Sequence, residues 1–519
     1  LIAMFLIPGW VNGQSVKPKV RKEIRPASAG AKTHNPPEKI KDGDWKCLGP
    51  TGMPNVVASS NTYGHGQINR LSFDPRYDGE NNRTIYGCSF FGGLWRSEID
   101  GDNWHNVNTD FLPSTSVADV CINPFNPEQI FISTGYGDGG IFDARGPNWA
   151  HINPIFTTGV FRSDDYGETW KDISGNFLDF FPDGGMCRKM AINPLNPDQV
   201  VIASTHGVIK TENATAKDVK WEHAFGEVDQ ELWDVRGIAY KPGDANTIYA
   251  SGKDIFISED GGNAWESLTG KKHDLDLDNL PDDLKVRRIN IAVTPANPER
   301  LYAYILGEKE MKDRTFMGAH IAFFEKEKWR IIETRFTSGL TYFADNWIAI
   351  AVSPVDADAV FYANTRLIGS EDIGSVKFGL RSPYCGNGFH ADVHDLAFQP
   401  NVENPKLFAA NHGGVSVKTF PNPNNNGWEY KNDGLQVATI WAFDDSENDE
   451  DLAIIGLQDN GTLFRYDTLG NMWHFIYGGD GGASRINPND PNKLYFSPGD
   501  KSLFSFDLKT FKRKNEATK

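Results

Sequence analysis

Two octapeptides, Ser163-Asp-Asp-Tyr-Gly-Glu-Thr-Trp170 and Ser258-Glu-Asp-Gly-Gly-Asn-Ala-Trp265, share the pattern S-x-D-x-G-x-x-W without a mismatch. The pattern describes a tight β-turn. Ser163 and Asp165, and likewise Ser258 and Asp260, accept backbone N–H bonds within the turn. Gly167 and Gly262 supply the residue with positive φ, and Trp170 and Trp265 fold back over the hairpin. Repeated turns of one kind imply repeated hairpins, so these residues are read as structural.

A second signature runs in phase with the first: a short apolar strand, a turn, and another apolar strand. The turns fall at Asp74-Pro75, Asn123-Pro124, Asn193-Pro194, Lys241-Pro242, Thr294-Pro295, Ser353-Pro354, Gln399-Pro400, a Pro-less version at residues 444–447, and Asn487-Pro488. A repeat of roughly 45 residues with four strand-like runs predicts an all-β β-propeller of four-stranded antiparallel blades. Nine units are legible, which bounds the blade number at about seven to ten, as one large ring or as one ring plus part of a second. Unit four reads as Gly237-Ile-Ala-Tyr240, Thr247-Ile-Tyr-Ala-Ser251, Ile255-Phe-Ile-Ser258, the octapeptide turn, then Trp265. In a meander, alternate turns lie on opposite edges, so the Pro turns and octapeptide turns share one face and the remaining loops the other. Degenerate octapeptides occupy the same slot at Ser97 to Trp104, Ser370 to Gly374 and Asp467 to Trp473. The run Trp45-Lys-Cys-Leu48 reads as an outermost strand without a blade, available to complete the last unit and close the ring.

Composition agrees with many turns and aromatic strands: 51 Gly, 33 Phe and 14 Trp against 7 Met in 519 residues. A formal charge of −17 argues against nucleic acid as a partner, which requires clustered cations. The five cysteines include no C-x-x-C pair, so no zinc site is indicated. Residues 1–13 read as the apolar core and cleavage region of a signal peptide, 14–43 as a disordered linker, and 44–519 as the propeller, which predicts export to the cell surface or medium. No later run is long and apolar enough for a transmembrane helix.

The octapeptides resemble the Asp-box, or bacterial neuraminidase repeat. The in-phase units are similar to a propeller superfamily that includes sortilin-type receptors, xyloglucanase-type glycosidases and exported bacterial repeat proteins. Gly456-Leu-Gln-Asp-Asn-Gly461, Gly478-Gly-Asp-Gly-Gly482 and His390-Ala-Asp-Val-His394 resemble segments of the exported bacterial branch. The resemblance covers residues 44–519 and implies fold more than chemistry. Sialidases share the box, but no Arg-Ile-Pro segment of their arginine triad is present, which argues against that activity.

Function is expected on the face away from the octapeptides, where loops enter the innermost strands and join second to third strands. Counting eight residues back from each turn proline reaches Ser116, Met186, Asp234, Arg287, Asn346, Asp392 and Asp480. Asp234, Asp392 and Asp480 are thus candidate general acids, bases or nucleophiles for a glycosidic bond. The competing reading pairs them with Arg70, Arg236, Arg287 and Arg288. Strand alternation would place His390, Asp392 and His394 on one side, where they could ligate a metal, although their spacing is wide for one ion. Alternatively they hydrogen-bond to neighbouring loops carrying Asp459 and Asn460. Asp274, Asp276 and Asp278 open with calcium-loop spacing, but Asn279 and Lys285 stand where Gly and Glu are needed. That stretch is either a structural calcium site or a solvated acidic loop; no other cofactor is required. The long insertion Gly135 to Gly159 carries Tyr136, Asp138 and Trp149, which with Trp233 and Trp347 suit stacking on sugar rings or anchoring a protein. The expectation is an exported propeller that binds a polysaccharide or an extracellular protein, of undetermined oligomeric state. A glycoside hydrolase of xyloglucanase type and an extracellular scaffold are the alternatives.

Overall fold

The computed structural model describes residues 33–34, 47–51, 53–56, 64–138, 155–226, 233–311, 314–336, 347–370, 380–382, 385–419, 427–447, 449–466, 472–499 and 502–516. Nine sheets follow one another along the chain, each containing a four-stranded antiparallel meander in sequence order. The chain is a β-propeller protein, with its blades at the units the turns predict. The innermost strands of blades 1 to 9 are Arg70–Phe73, Val117–Ile122, Cys187–Ile192, Gly237–Tyr240, Lys285–Val293, Ala349–Val352, Val393–Phe398, Ile440–Ser446 and Gly481–Ile486.

Blades 1 to 7 form a closed ring: each innermost strand neighbours the next, and that of blade 7 returns to blade 1. Two recurrent joints hold neighbours together. In one, a carboxylate on an innermost strand accepts a backbone N–H from the next: Asp119 from Met190 (2.7 Å) and, across the closure, Asp395 from Leu71 (3.1 Å). In the other, an outer-strand tryptophan donates its indole N–H to a carbonyl of the preceding blade. Trp170 reaches Val107, Trp221 reaches Ile173, Trp329 reaches Leu268 and, across the closure, Trp104 reaches Lys431, all at 2.8 to 2.9 Å. Between the joints lie apolar side chains from facing blades, such as Ile68, Leu71, Trp95 and Trp104 against Phe408, Val415 and Leu435. Second strands such as Val200–Ser204 and Leu407–Asn411 are buried throughout because both faces are covered by neighbouring blades.

Blades 8 and 9 stand outside this ring and pack on each other. They use the same joint, with Asp444 accepting the Ile486 N–H at 2.7 Å. The architecture is therefore one seven-bladed ring followed by two further blades. The N-terminal segment serves neither the ring closure nor blade 9, which has its own fourth strand, Lys512–Asn515. Instead Asn55–Val56 pairs parallel with His474 and Phe475 of blade 8, and Leu48 accepts the Trp473 indole at 2.7 Å. It takes the place that a preceding blade would occupy. Of residues 1–46 only Thr33–His34 is described, a short strand against Trp170 and Lys171. All five cysteines are free.

The octapeptide turns have the expected interior. Ser163 Oγ accepts from Gly167 N at 2.7 Å and Asp165 from Thr169 N at 2.8 Å; Ser258 and Asp260 repeat this with Gly262 and Ala264, both at 2.8 Å. Gly167 has φ +93°, and a Cβ there would also meet Val107. The Trp265 indole folds back to Gly262, as expected, but that of Trp170 does not: it crosses to the preceding blade, which converts a local turn into a joint. The degenerate turn at Ser370 to Gly374 lies outside the described residues beyond Ser370, as do 467–471 of the last.

Candidate functional site

Loops of blades 7 and 8 meet where the ring abuts blade 8, with His412 against Asp459 and Asn460 against the His412 carbonyl. Several innermost strands carry one extra, unpaired residue near this edge: Ala118, Arg188, Arg287, His394 and Trp441 sit at register slips. A β-bulge of this kind bends the strand and re-aims a side chain. It also corrects the expectation that His390, Asp392 and His394 share one side of a regular strand: the strand begins at Val393, Asp392 has φ +61°, and His394 occupies the bulge.

At the channel centre stands Asp138, which is 1% exposed and is gripped by Arg70 through both oxygens, at 2.7 and 2.9 Å. Burial would raise its pKa, but the Arg70 charge and the His394 bond hold it well below the usual carboxylate range. Arg288 lies 3.7 Å away. Asp138 was expected to meet ligand; it is instead a buried counter-ion. Tyr136, expected as an exposed stacking ring, is also buried, edge-on against Phe90 at 4.5 Å, because the start of this insertion turns inward. Trp149 lies outside the described residues.

From Asp138 a hydrogen-bonded relay runs outward. His394 Nδ1 donates to Asp138 (2.7 Å), and its Nε2 lies 2.9 Å from the Gln67 amide nitrogen and 3.0 Å from His412 Nε2. His412 Nδ1 lies 2.7 Å from Asp459 Oδ2, and Asp480 accepts the Asp459 backbone N–H at 2.9 Å. The contacts bias the protons: the Gln67 amide nitrogen facing His394 Nε2 favours a neutral His394, and the Asp459 carboxylate at His412 Nδ1 favours the charged form of His412. The pKa directions agree: burial pulls His394 down to about 4, whereas for His412 burial is outweighed by Asp459, Asp392 and Asp480 together, which raise it.

Beside this relay sits the acidic group. Burial raises Asp392 to about 6, with His412 opposing it, and raises Asp480; Asp459 is lowered because His412 outweighs its burial. Asn460 donates to the carbonyls of His412 (2.9 Å) and Gln458 (3.0 Å), and His390 Nε2 lies 3.4 Å from the Asp459 carbonyl. Loops of blades 7 and 8 are thereby tied together, as the hydrogen-bonding alternative anticipated. Gly413 permits the fit, since a Cβ there would stand 2.6 Å from that of His390. Trp347 packs on His394 and His412, with ring centroids 5.7 and 5.2 Å apart. Trp441, at its bulge in blade 8, is 54% exposed and lies next but one to Thr439, whose carbonyl accepts the Gln458 N–H.

Asp234 lies elsewhere, between Arg188 (2.8 Å) and Arg236 (2.6 Å), which outweigh burial and lower its pKa. Trp233 is 37% exposed and packs against Phe225. Thus Asp392, His390, His394, Trp347, Asp459, Asn460 and Asp480 form one site and Asp234 another. His412, Gln67 and Arg188 escaped the sequence reading; the signal available was the Asn411-His412-Gly413-Gly414 loop after a wholly apolar strand.

No group of three His, Cys, Asp or Glu side chains among the described residues is arranged to hold a metal ion. Both ring nitrogens of His394 are engaged in the relay. Asp276 caps Asp278 N, and Asp274 pairs with Lys328 at 3.0 Å, so two of these three carboxylates have partners within the protein. No described helix is long and apolar enough to cross a membrane.

No family model matches the sequence, and no curated protein matches it. In three dimensions the chain is similar to the GH74 enzyme of Niastella koreensis, at 13% identity and TM-score 0.61 over 90% of this chain and 68% of that one. It is also similar to the GH74 xyloglucanase of Xanthomonas campestris (13%, 0.55, over 88% and 74%) and to an ancestral GH74 enzyme (14%, 0.57, over 90% and 64%). At these identities the likeness establishes the propeller fold.

Proposed function

We propose that the junction between the ring and blades 8 and 9 binds a polysaccharide. The observation that carries this is the acidic edge of Asp392, Asp459 and Asp480 around His412, with Trp347 packed on that histidine and Trp441 exposed on the innermost strand of blade 8. Aromatic faces with hydrogen-bond acceptors beside them suit sugar rings and their hydroxyls. Binding is taken as the first reading because Asp459 is committed to His412 (2.7 Å) and Asp480 accepts the Asp459 backbone N–H (2.9 Å), so two of the three carboxylates already have partners within the protein. Asp138 and Asp234 are neutralised by arginines.

Two observations favour hydrolysis as the second reading: Asp392 and Asp480 are both shifted upward, which suits a general acid, and the similar structures named above are described as GH74 enzymes. Retention on immobilised β-glucans and xyloglucan, compared between the native chain and Trp441→Ala, tests binding. A loss of about tenfold or more at unchanged melting temperature is expected; unchanged retention sinks the reading. Release of reducing ends from the same panel, lost in Asp392→Asn, would establish the second reading instead.

A further inference from the structure

Blade 9 has two unlike faces. Ile486, Leu494 and Phe506 in one cross-strand row, and Phe496 and Phe504 in the next, turn towards blade 8 and join Ile454, Phe464 and Ile476 in one apolar cluster. Strand alternation sends the intervening residues to the opposite face. There Arg485, Tyr495, Ser505 and Lys514 stand opposite one another across the strands, and Lys493, Asp507 and Lys512 form the adjoining row. Neighbours within a row are about 5 Å apart at Cβ, and the rows are about 6.7 Å apart.

This second face is cationic. Arg485, Lys493, Lys512 and Lys514 are all exposed, Arg485 and Lys514 at 69% and 72% of their side chains. Two carboxylates share the face with them. Asp507 closes the following turn by accepting the Lys509 and Thr510 N–H groups at 3.0 and 2.9 Å. Glu516 accepts from Ser505 (2.8 Å) and pairs with Lys514 (2.9 Å). Arg485 also lies 4.0 Å from Asp444 of blade 8. Cations thus outnumber carboxylates here, in a chain with 52 Lys and Arg against 69 Asp and Glu. Lysines on an edge strand deter pairing with another chain, which accounts for Lys512 and Lys514. It does not account for Arg485 and Lys493, which lie on the innermost and second strands. Tyr495, half-buried in the middle of the face, sets an aromatic ring among the charges.

We infer that this face of blade 9 binds an acidic polysaccharide, with carboxylates on successive sugars meeting the cations and a sugar ring meeting Tyr495. A narrow polymer of this kind touches the cationic face alone. A nucleic acid duplex or an anionic membrane is a broader array of charge and would also meet the acidic remainder of the chain. The face is distinct from the Trp347–Trp441 edge, and the inference does not rest on that site binding a glycan.

Binding of the full chain to immobilised polygalacturonate tests this, with neutral dextran, duplex DNA and phosphatidylserine vesicles in parallel. Retention on polygalacturonate that falls with added sodium chloride is expected. It should weaken about tenfold or more, at unchanged melting temperature, in the triple variant Lys493→Gln, Lys512→Gln, Lys514→Gln. Absence of retention, or retention that the triple variant leaves unchanged, overturns the inference. Equal retention on dextran, or tighter binding to DNA or to the vesicles, overturns it as well. Should the triple variant not fold, Lys512→Gln with Lys514→Gln, both on the exposed outer strand, replaces it under the same criterion.

Discussion

His394 and His412 stack with ring centroids 5.0 Å apart and planes 22° from parallel, and their surroundings push them in opposite directions, His394 towards the neutral form and His412 towards the charged one. Two imidazolium rings in that contact would repel, so the stack depends on His394 staying neutral. Its folded pKa of about 4 lies below the unfolded value near 6.5, so between these pH values the unfolded chain binds more protons. This group's contribution to stability is complete above pH 6.5 and is lost as pH falls towards 4. His412, raised above 6.5, has the opposite sign: its contribution is full below pH 6.5 and is lost as pH rises through its folded value. Urea midpoints measured across pH 4 to 7 should show His394→Asn gaining about 2–3 kcal/mol relative to the native chain on the acid side. A constant difference across that range would contradict the assigned protons.

Asp392 titrates in the same region with the reverse slope. Its folded pKa of about 6 exceeds the usual value of 3.8, so the folded chain holds the extra proton and stability falls as pH rises between the two. Asparagine also tolerates the positive φ of this position. Asp392→Asn should therefore be more stable relative to the native chain at pH 8 than at pH 4, as read by thermal unfolding.

Removing Asp138 leaves Arg70 charged and buried. Asp138→Leu is expected to cost about 3–5 kcal/mol, and adding Arg70→Met should recover much of it, because two apolar groups leave no uncompensated charge. Denaturant unfolding of the two single variants and the double variant measures this coupling.

The carboxylate joints at Asp395 and Asp444 hold different pairs of blades together. Asp395→Ala should speed amide exchange in blades 1 and 7, at a cost of about 1–3 kcal/mol, whereas Asp444→Ala should affect blades 8 and 9 alone. Exchange mapped by mass spectrometry separates them.

Ser163→Ala removes the acceptor of the Gly167 N–H on the far face. It should lower stability by about 1 kcal/mol and leave glycan retention unchanged.

The blades were legible because each depends on local chemistry: an Asn-Pro or Asp-Pro turn, short apolar strands, and a serine and aspartate within one hairpin. Counting back from the turn prolines also reached Asp234, Asp392 and Asp480, since strand length fixes which residue meets the channel. What escaped depends on distance in the chain. Asp138 and His394 meet across 256 positions, and His412 connects blade 7 to Asp459 of blade 8. Ring closure at blade 7 was likewise hidden: the joint at Asp395 resembles the one at Asp119, and nothing local marks it as the last.

The bulges on the innermost strands have a consequence for which side chains the channel receives. A paired strand residue must satisfy the alternation of its sheet, so its identity is tied to packing. The added residue at positions 118, 188, 287, 394 and 441 is released from that alternation, and the chain places Ala, Arg, Arg, His and Trp there. The bulges thus let the sheets hand selected side chains to the channel: Arg188 meets Asp234 and His394 meets Asp138 there, while Trp441 is left exposed.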